Sequence, residues 1–215
     1  MNANVVASLA RPVTRPEGER NDVPMSERGP ASKRVVVAYG FWLFLLSDII
    51  VFAALFAVYA VLVTQTAGAP SGSQLFDRQH VLIETACLLT SSFTCALSSL
   101  AIELRNKTST YLLSALTFAL GVAFVMLELS EFNSMIAAGN APARSAFLSA
   151  FFALVGAHGI HVTLGLCWLM MTMAQLACFG FTTRVTSRLL CFSLFWHTLD
   201  IVWIGVFTIV YLGAR

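Results

Sequence analysis

GFWLFLLSDIIVFAALFAVYA, residues 40–60, carries one charged side chain, Asp48, in an otherwise apolar run. A helix over this stretch, rising about 1.5 Å per residue, is as long as the hydrocarbon core of a bilayer is thick, about 30 Å. A lone aspartate in such a setting is costly in lipid and marks an interior face. The stretch therefore reads as the first membrane span, and the same pattern recurs along the rest of the chain. Spans are expected at 35–64, 80–103, 108–132, 145–178 and 188–212, separated by turn-forming segments. These segments are the Gly-, Ser- and Pro-bearing Gln65–Gln79, the Arg105-Asn106-Lys107 turn, Gly139-Asn140-Ala141-Pro142, and Gly180–Ser187. No proline falls inside a span. The fold expected is all-α, a polytopic five-helix membrane bundle, with residues 35–215 as its transmembrane domain.

Composition agrees with a lipid solvent. Hydrophobic residues are 58% of the chain and charged ones 11%, against about 25% charged in ordinary soluble domains. The loops are too short for a soluble domain, so function is expected in the bundle or on its surface. Residues 1–34 differ in kind, with Pro12, Pro16, Pro24 and Pro30 among basic and acidic side chains, and read as a flexible polar tail. It lacks the short apolar run of a cleavable secretory signal.

The basic residues are distributed unequally between the two sides. Arg11, Arg15, Arg20, Arg28, Lys33, Arg34, Arg105, Lys107, Arg184 and Arg188 fall on one, and only Arg78, Arg144 and Arg215 on the other. By the positive-inside rule the N-terminus is cytoplasmic and the C-terminus outside. The net charge of +2 is thus a record of topology and no sign of nucleic-acid binding. The cysteines Cys87, Cys95, Cys167, Cys178 and Cys191 form no CxxC pair and read as small packing residues.

The informative residues are ionisable groups inside the spans: Asp48, Glu84, Glu128, Glu131, His158, His161, His197 and Asp200. Each costs at least about 2.5 kcal/mol on insertion scales unless it faces the bundle, water or a partner. With no Lys or Arg among them, the carboxyls must be protonated, pair with histidine, or bond to hydroxyls and water. Residues three or four apart share a helix face. Glu128 and Glu131 then stand in line with Thr117, Gly121 and Phe124, and His158 with His161, Gly165 and Trp168. His197 and Asp200 are placed to bond within one helix. Glu84 heads a stripe through Cys87, Ser91, Cys95 and Ser98, small residues of the kind that let helices approach in lipid. For each group a structural role stands beside a proton-handling one, and for the histidines metal ligation is a further alternative.

Four stretches together carry a family resemblance: residues 40–60, GVAFVMLELSEF at 121–132, GAHGIHVTLG at 156–165 and FWHTLDIVWIGVFTIVY at 195–211. From about residue 35 to its end the chain resembles subunit III of the haem-copper oxidases, in the cytochrome o ubiquinol oxidase branch. The cytochrome c oxidase branch usually has two more N-terminal helices and a glutamate at the place of Asp48.

The resemblance implies a bundle of the cytochrome c oxidase subunit III type in a bacterial inner membrane. It implies a redox-inactive chain that contacts catalytic subunit I and other oxidase subunits and binds phospholipid. It implies no catalytic or metal-binding residue here, with haems and copper in the partner. The complex would pass electrons from ubiquinol to dioxygen and pump protons. Asp48 resembles the family's buried carboxylate implicated in proton uptake, and the family role of Glu84, Glu131, His158, His161, His197 and Asp200 is structural. Alternatives are a cytochrome c oxidase subunit III, an accessory subunit of a nitric oxide reductase, a free-standing ion transporter, and a metalloenzyme on His158, His161 and His197.

Overall fold

A computed structural model describes residues 33–65 and 78–213. Most of the polar tail, most of the first loop, and Arg215 lie outside the described residues. The elements are α1 (Lys33–Leu62), α2 (Arg78–Glu103), α3 (Lys107–Ala137), α4 (Ala146–Phe179) and α5 (Thr183–Val206). A single turn of 3-10 helix, Pro142–Arg144, precedes α4, and α5 widens into a π-helical segment, Phe207–Leu212. All five helices are long and apolar enough to cross a membrane, so the protein is a multi-pass membrane protein. The chain divides into two compact units, residues 1–40 and 41–215. Of the first, Val35–Gly40 of α1 is exposed; the packing below belongs to the second.

Two helix ends differ from the sequence expectation, because caps and not hydropathy set them. α3 continues past Phe132 to Ala137, where Gly139 takes a left-handed conformation, φ 81°. There the Gly139 N–H donates to the Ile136 carbonyl and the Asn140 N–H to that of Met135, closing a Schellman cap. α5 starts at Thr183, inside the segment read as a loop, since the Thr182 hydroxyl accepts from the Val185 N–H at 3.3 Å. Between α2 and α3 one tight turn serves both helices. Arg105, φ 55°, ends α2 with the same pair of bonds, Arg105 N–H to Ile102 and Asn106 N–H to Ala101. The Asn106 side chain then caps α3 by accepting from the Ser109 N–H at 3.2 Å.

Helices in lipid associate through close packing and polar contacts, lipid tails being as apolar as leucine. The α2–α3 pair shows this directly. The hydroxyls of Thr94 and Thr117 lie 2.8 Å apart and those of Ser98 and Ser114 2.9 Å apart, all four side chains buried. α5 crosses the other side of α2 and donates two indole N–H groups to it: Trp196 to Ser91 at 3.0 Å and Trp203 to Thr85 at 3.1 Å. Both indoles are fully buried. α4 lies against α3 and α5, and it comes close where side chains vanish. A methyl group on Gly121 would lie 2.8 Å from Leu166 and 2.9 Å from Trp196.

From Phe41 onward α1 is attached differently, by rings. Phe41 packs edge-on against Trp168, Phe52 against His161, and Tyr59 against Phe147, with ring centroids 5.8, 5.1 and 6.1 Å apart. Such large groups hold the backbone of α1 away from α4, and most of its surface faces outward. The cysteine expectation holds for Cys95, which is buried, while Cys167 and Cys178 are exposed.

Candidate functional site

The ionisable groups gather into three interhelical sites and one isolated ring. In the first, α1 presents Asp48 to His161 of α4, with Oδ1 3.7 Å from Nε2. The opposite ring nitrogen, Nδ1, lies 2.7 Å from the Ala157 carbonyl. A carbonyl only accepts, so Nδ1 carries the hydrogen, and in a neutral ring Nε2 then offers a lone pair. At 3.7 Å the ring nitrogen and the carboxyl oxygen face each other across the α1–α4 contact, too far apart for a direct hydrogen bond. The side chains are 16% and 25% exposed, which leaves the pair within reach of the surface of the bundle.

His158, one turn earlier on α4, has no exposed surface. Its ring lies 5.2 Å from that of Trp203 at 31° and 5.8 Å from that of Phe124 at 89°, with Phe52 on a third side. Neither ring nitrogen has a hydrogen-bond partner among the described residues. His158 is thus a packing member of an aromatic cage.

In the second site the expected bond inside α5 gives way to one between helices. His197 Nδ1 lies 2.7 Å from the Ser92 hydroxyl of α2. The Asp200 carboxyl faces the same hydroxyl and lies within electrostatic reach of His197. Ser92 stands between the two, so the three form a cross-helix group, and two turns further along α2 the Ser99–Ser193 bond at 3.0 Å joins the same helices.

The third site joins residues that sequence spacing left apart. Glu84 of α2, 0% exposed, lies within electrostatic reach of Glu128 and Glu131 of α3. Tyr211, swung inward on the π-helical end of α5, donates to Glu131 at 3.0 Å. His80 stands one turn before Glu84, Nε2 to Oε1 3.4 Å, and is 29% exposed. α4 contributes a gap: a methyl group on Gly159 would lie 2.6 Å from a Glu128 oxygen. The start of α2 and the ends of α3 and α5 meet here because neighbouring helices run antiparallel. Sequence reasoning missed His80, Tyr211 and Ser92. The four-residue spacing of His80 from Glu84 was available as a signal; for the other two nothing short of helix register was.

Among the described residues no group of three or more His, Cys, Asp or Glu side chains is placed to hold a metal ion. His158, His161 and His197 belong to different surroundings.

Five apolar helices closing over paired and clustered ionisable groups define a polytopic helical membrane protein with a polar interior. The chain belongs to the cytochrome c oxidase subunit III family, whose model matches residues 28–214. It is 52% identical over 174 residues to a Pseudomonas aeruginosa protein named cytochrome bo(3) ubiquinol oxidase subunit 3, covering 81% of this chain and 83% of the relative. It is 38% identical over 196 residues to the quinol oxidase subunit 3 of Bacillus subtilis, 91% and 95% of the two chains. A cytochrome c oxidase subunit 3 of Bacillus sp. (strain PS3) is 40% identical over 173 residues, 80% and 84%.

Proposed function

We propose that this chain is the redox-inactive subunit III of a proton-pumping quinol oxidase of a bacterial inner membrane, oriented with its N-terminus in the cytoplasm and its C-terminus outside. The observation that carries this reading is identity at the level of half the residues, across nearly the whole bundle, with a subunit named for ubiquinol oxidation. Ten of the basic residues on one side and three on the other support the orientation.

In this reading the haems and copper reside in the catalytic subunit, and this chain braces it and holds phospholipid. Its own residues supply rigidity. Hydroxyl pairs lock α3 to α2, and indole N–H groups lock α5 to α2. α1, held through rings and the Asp48–His161 pair, presents a long outward apolar face, Trp42, Leu43, Ile50 and Val61 among it, for lipid or a neighbouring subunit. Asp48, facing His161 across the α1–α4 contact, is the group this reading assigns to support of proton uptake by the complex.

A second reading, cytochrome c as electron donor, is favoured by the identity with the Bacillus sp. (strain PS3) subunit. Purification through this chain in mild detergent separates the two. Haem in the optical spectrum together with oxygen uptake on ubiquinol supports the first reading. Turnover on reduced cytochrome c alone moves the assignment to the second, and a haem-free chain overturns both.

A further inference from the structure

Near the end of α2 that turns into α3, the hydroxyl pairs that lock the helices together flank a small cavity. Ser98 and Ser99 of α2, Ser114 and Thr117 of α3 and Ser193 of α5 line it, and Leu169 of α4 belongs to its apolar wall. Within it the centre of a water molecule has about 10 Å³ in which to move. By that measure one water needs about 10–15 Å³, together with about two to four polar partners. The cavity therefore takes a single heavy atom and nothing larger.

The lining also settles what chemistry fits. A hydroxyl has one hydrogen to give and two lone pairs to accept with. The Ser98 and Ser114 hydroxyls share one hydrogen across 2.9 Å. Ser99 donates toward Ser193 at 3.0 Å and toward the Cys95 carbonyl at 3.2 Å. Thr117 is already engaged, by the Leu113 carbonyl at 2.9 Å and the Thr94 hydroxyl at 2.8 Å. Whichever way the hydrogens point, Ser114 and Ser193 each keep a lone pair that these bonds do not use, and both side chains are buried. An occupant must then bring hydrogens to give. No Asp, Glu, His, Lys or Arg lines the cavity, so an ion there would sit in low dielectric with no opposite charge beside it.

We propose that this cavity is the binding site of one structural water, which donates its hydrogens to Ser114 of α3 and Ser193 of α5 and ties those helices together across Ser98 and Ser99 of α2. Ser114 pairs directly with Ser98 and Ser193 with Ser99, so the two direct bonds join α2 to one neighbour each. The water turns two separate locks into one joint of three helices. A bridging water of this kind is nearly as favourable as a direct hydrogen bond, and the hydroxyls around it lie where lipid offers no other partner. The site depends neither on the orientation of the chain nor on which complex it joins.

Two measurements on the full chain in lipid nanodiscs test this. The first is solid-state NMR of the serine-labelled chain, with magnetisation passed from water protons to nearby nuclei. Ser114 and Ser193 should receive it, each signal being identified by its loss in Ser114→Ala or Ser193→Ala. The second is a double-mutant cycle read as the thermal midpoint in far-ultraviolet circular dichroism. Either alanine alone already breaks the bridge, so the midpoint of the double variant should fall by less than the sum of the two single drops. Thr85→Ala combined with Ser193→Ala is the control, and there the drops should add, since Thr85 lies more than three turns away along α2. Absence of transfer from water to both serines overturns the proposal, and so do additive drops for Ser114 and Ser193. A shift of the two serine signals when sodium or potassium replaces a bulky organic cation overturns it as well, by making the occupant an ion. Should an alanine variant fail to fold, sequential assignment of the unaltered chain identifies the two signals and the transfer from water decides.

Discussion

Gly121 offers a quantitative test of how this bundle is held together. In most helices Gly→Ala stabilises, by about 1 kcal/mol, because alanine is the better helix former. Here the added methyl carbon would sit 2.8 Å from Leu166 Cδ2 and 2.9 Å from the indole of Trp196, where carbon atoms prefer roughly 3.5–4.0 Å. Leu166 can swing, but Trp196 is 1% exposed and tied to the Ser91 hydroxyl. Forcing the indole back adds an overpacking cost of about 1–3 kcal/mol. Losing its hydrogen bond adds about 1 kcal/mol more. Against the helix gain, the expected net loss is about 1–3 kcal/mol. Gly40→Ala is the control, since a methyl there meets nothing within 4 Å. The assay is thermal unfolding of both variants in nanodiscs, followed by far-ultraviolet circular dichroism. Gly40→Ala should unfold at or above the temperature of the unaltered chain and Gly121→Ala well below it. Equal stability of the two variants would refute the claim that α3, α4 and α5 meet on a bare backbone.

His161→Ala removes the partner of Asp48 and should loosen the chain from its complex, seen as subunit loss on detergent washing, with unchanged haem spectra; intact assembly with altered spectra would sink this account. Ser92→Ala strips the hydroxyl between His197 and Asp200, for an expected loss of about 1–2 kcal/mol in the same unfolding assay. An unchanged midpoint would mean the group contributes nothing. Arg105→Gly relieves a left-handed residue, and should raise stability by about 1 kcal/mol; Arg105→Ala, which keeps the strain, should not.

The spans were legible because hydropathy and length are properties of the sequence alone. So was the buried face of α3, where Thr117, Gly121, Phe124 and Glu128 follow helical spacing and all are buried. The helix ends at Ala137 and Thr183 were not, because Gly139 and Thr182 act through backbone geometry and not through polarity. The partners were least legible. Spacing along one helix brought Glu128 beside Glu131 and His197 beside Asp200, yet the contacts that matter run across helices: Ser92 to His197, Tyr211 to Glu131, Asp48 to His161. Those depend on the vertical register of each helix against the next, which is set by glycine gaps and indole bonds. Trp196 and Trp203 illustrate the point, since each indole bonds to a specific hydroxyl of α2 that no spacing along α5 identifies.

The shared turn at Arg105 and Asn106 bears on how the protein is made. α2 is the least apolar of the five helices and carries Glu84 and a row of hydroxyls, a poor candidate to enter lipid by itself. Its turn into α3 is as short as a helical hairpin allows, so the next span emerges from the ribosome directly behind it. Thr94 meets Thr117, and Ser98 meets Ser114, between neighbours in time as well as in space. The two helices can therefore leave the insertion machinery together, each covering the other's polar face, and α1 and the α4–α5 pair assemble around a hairpin that is already closed.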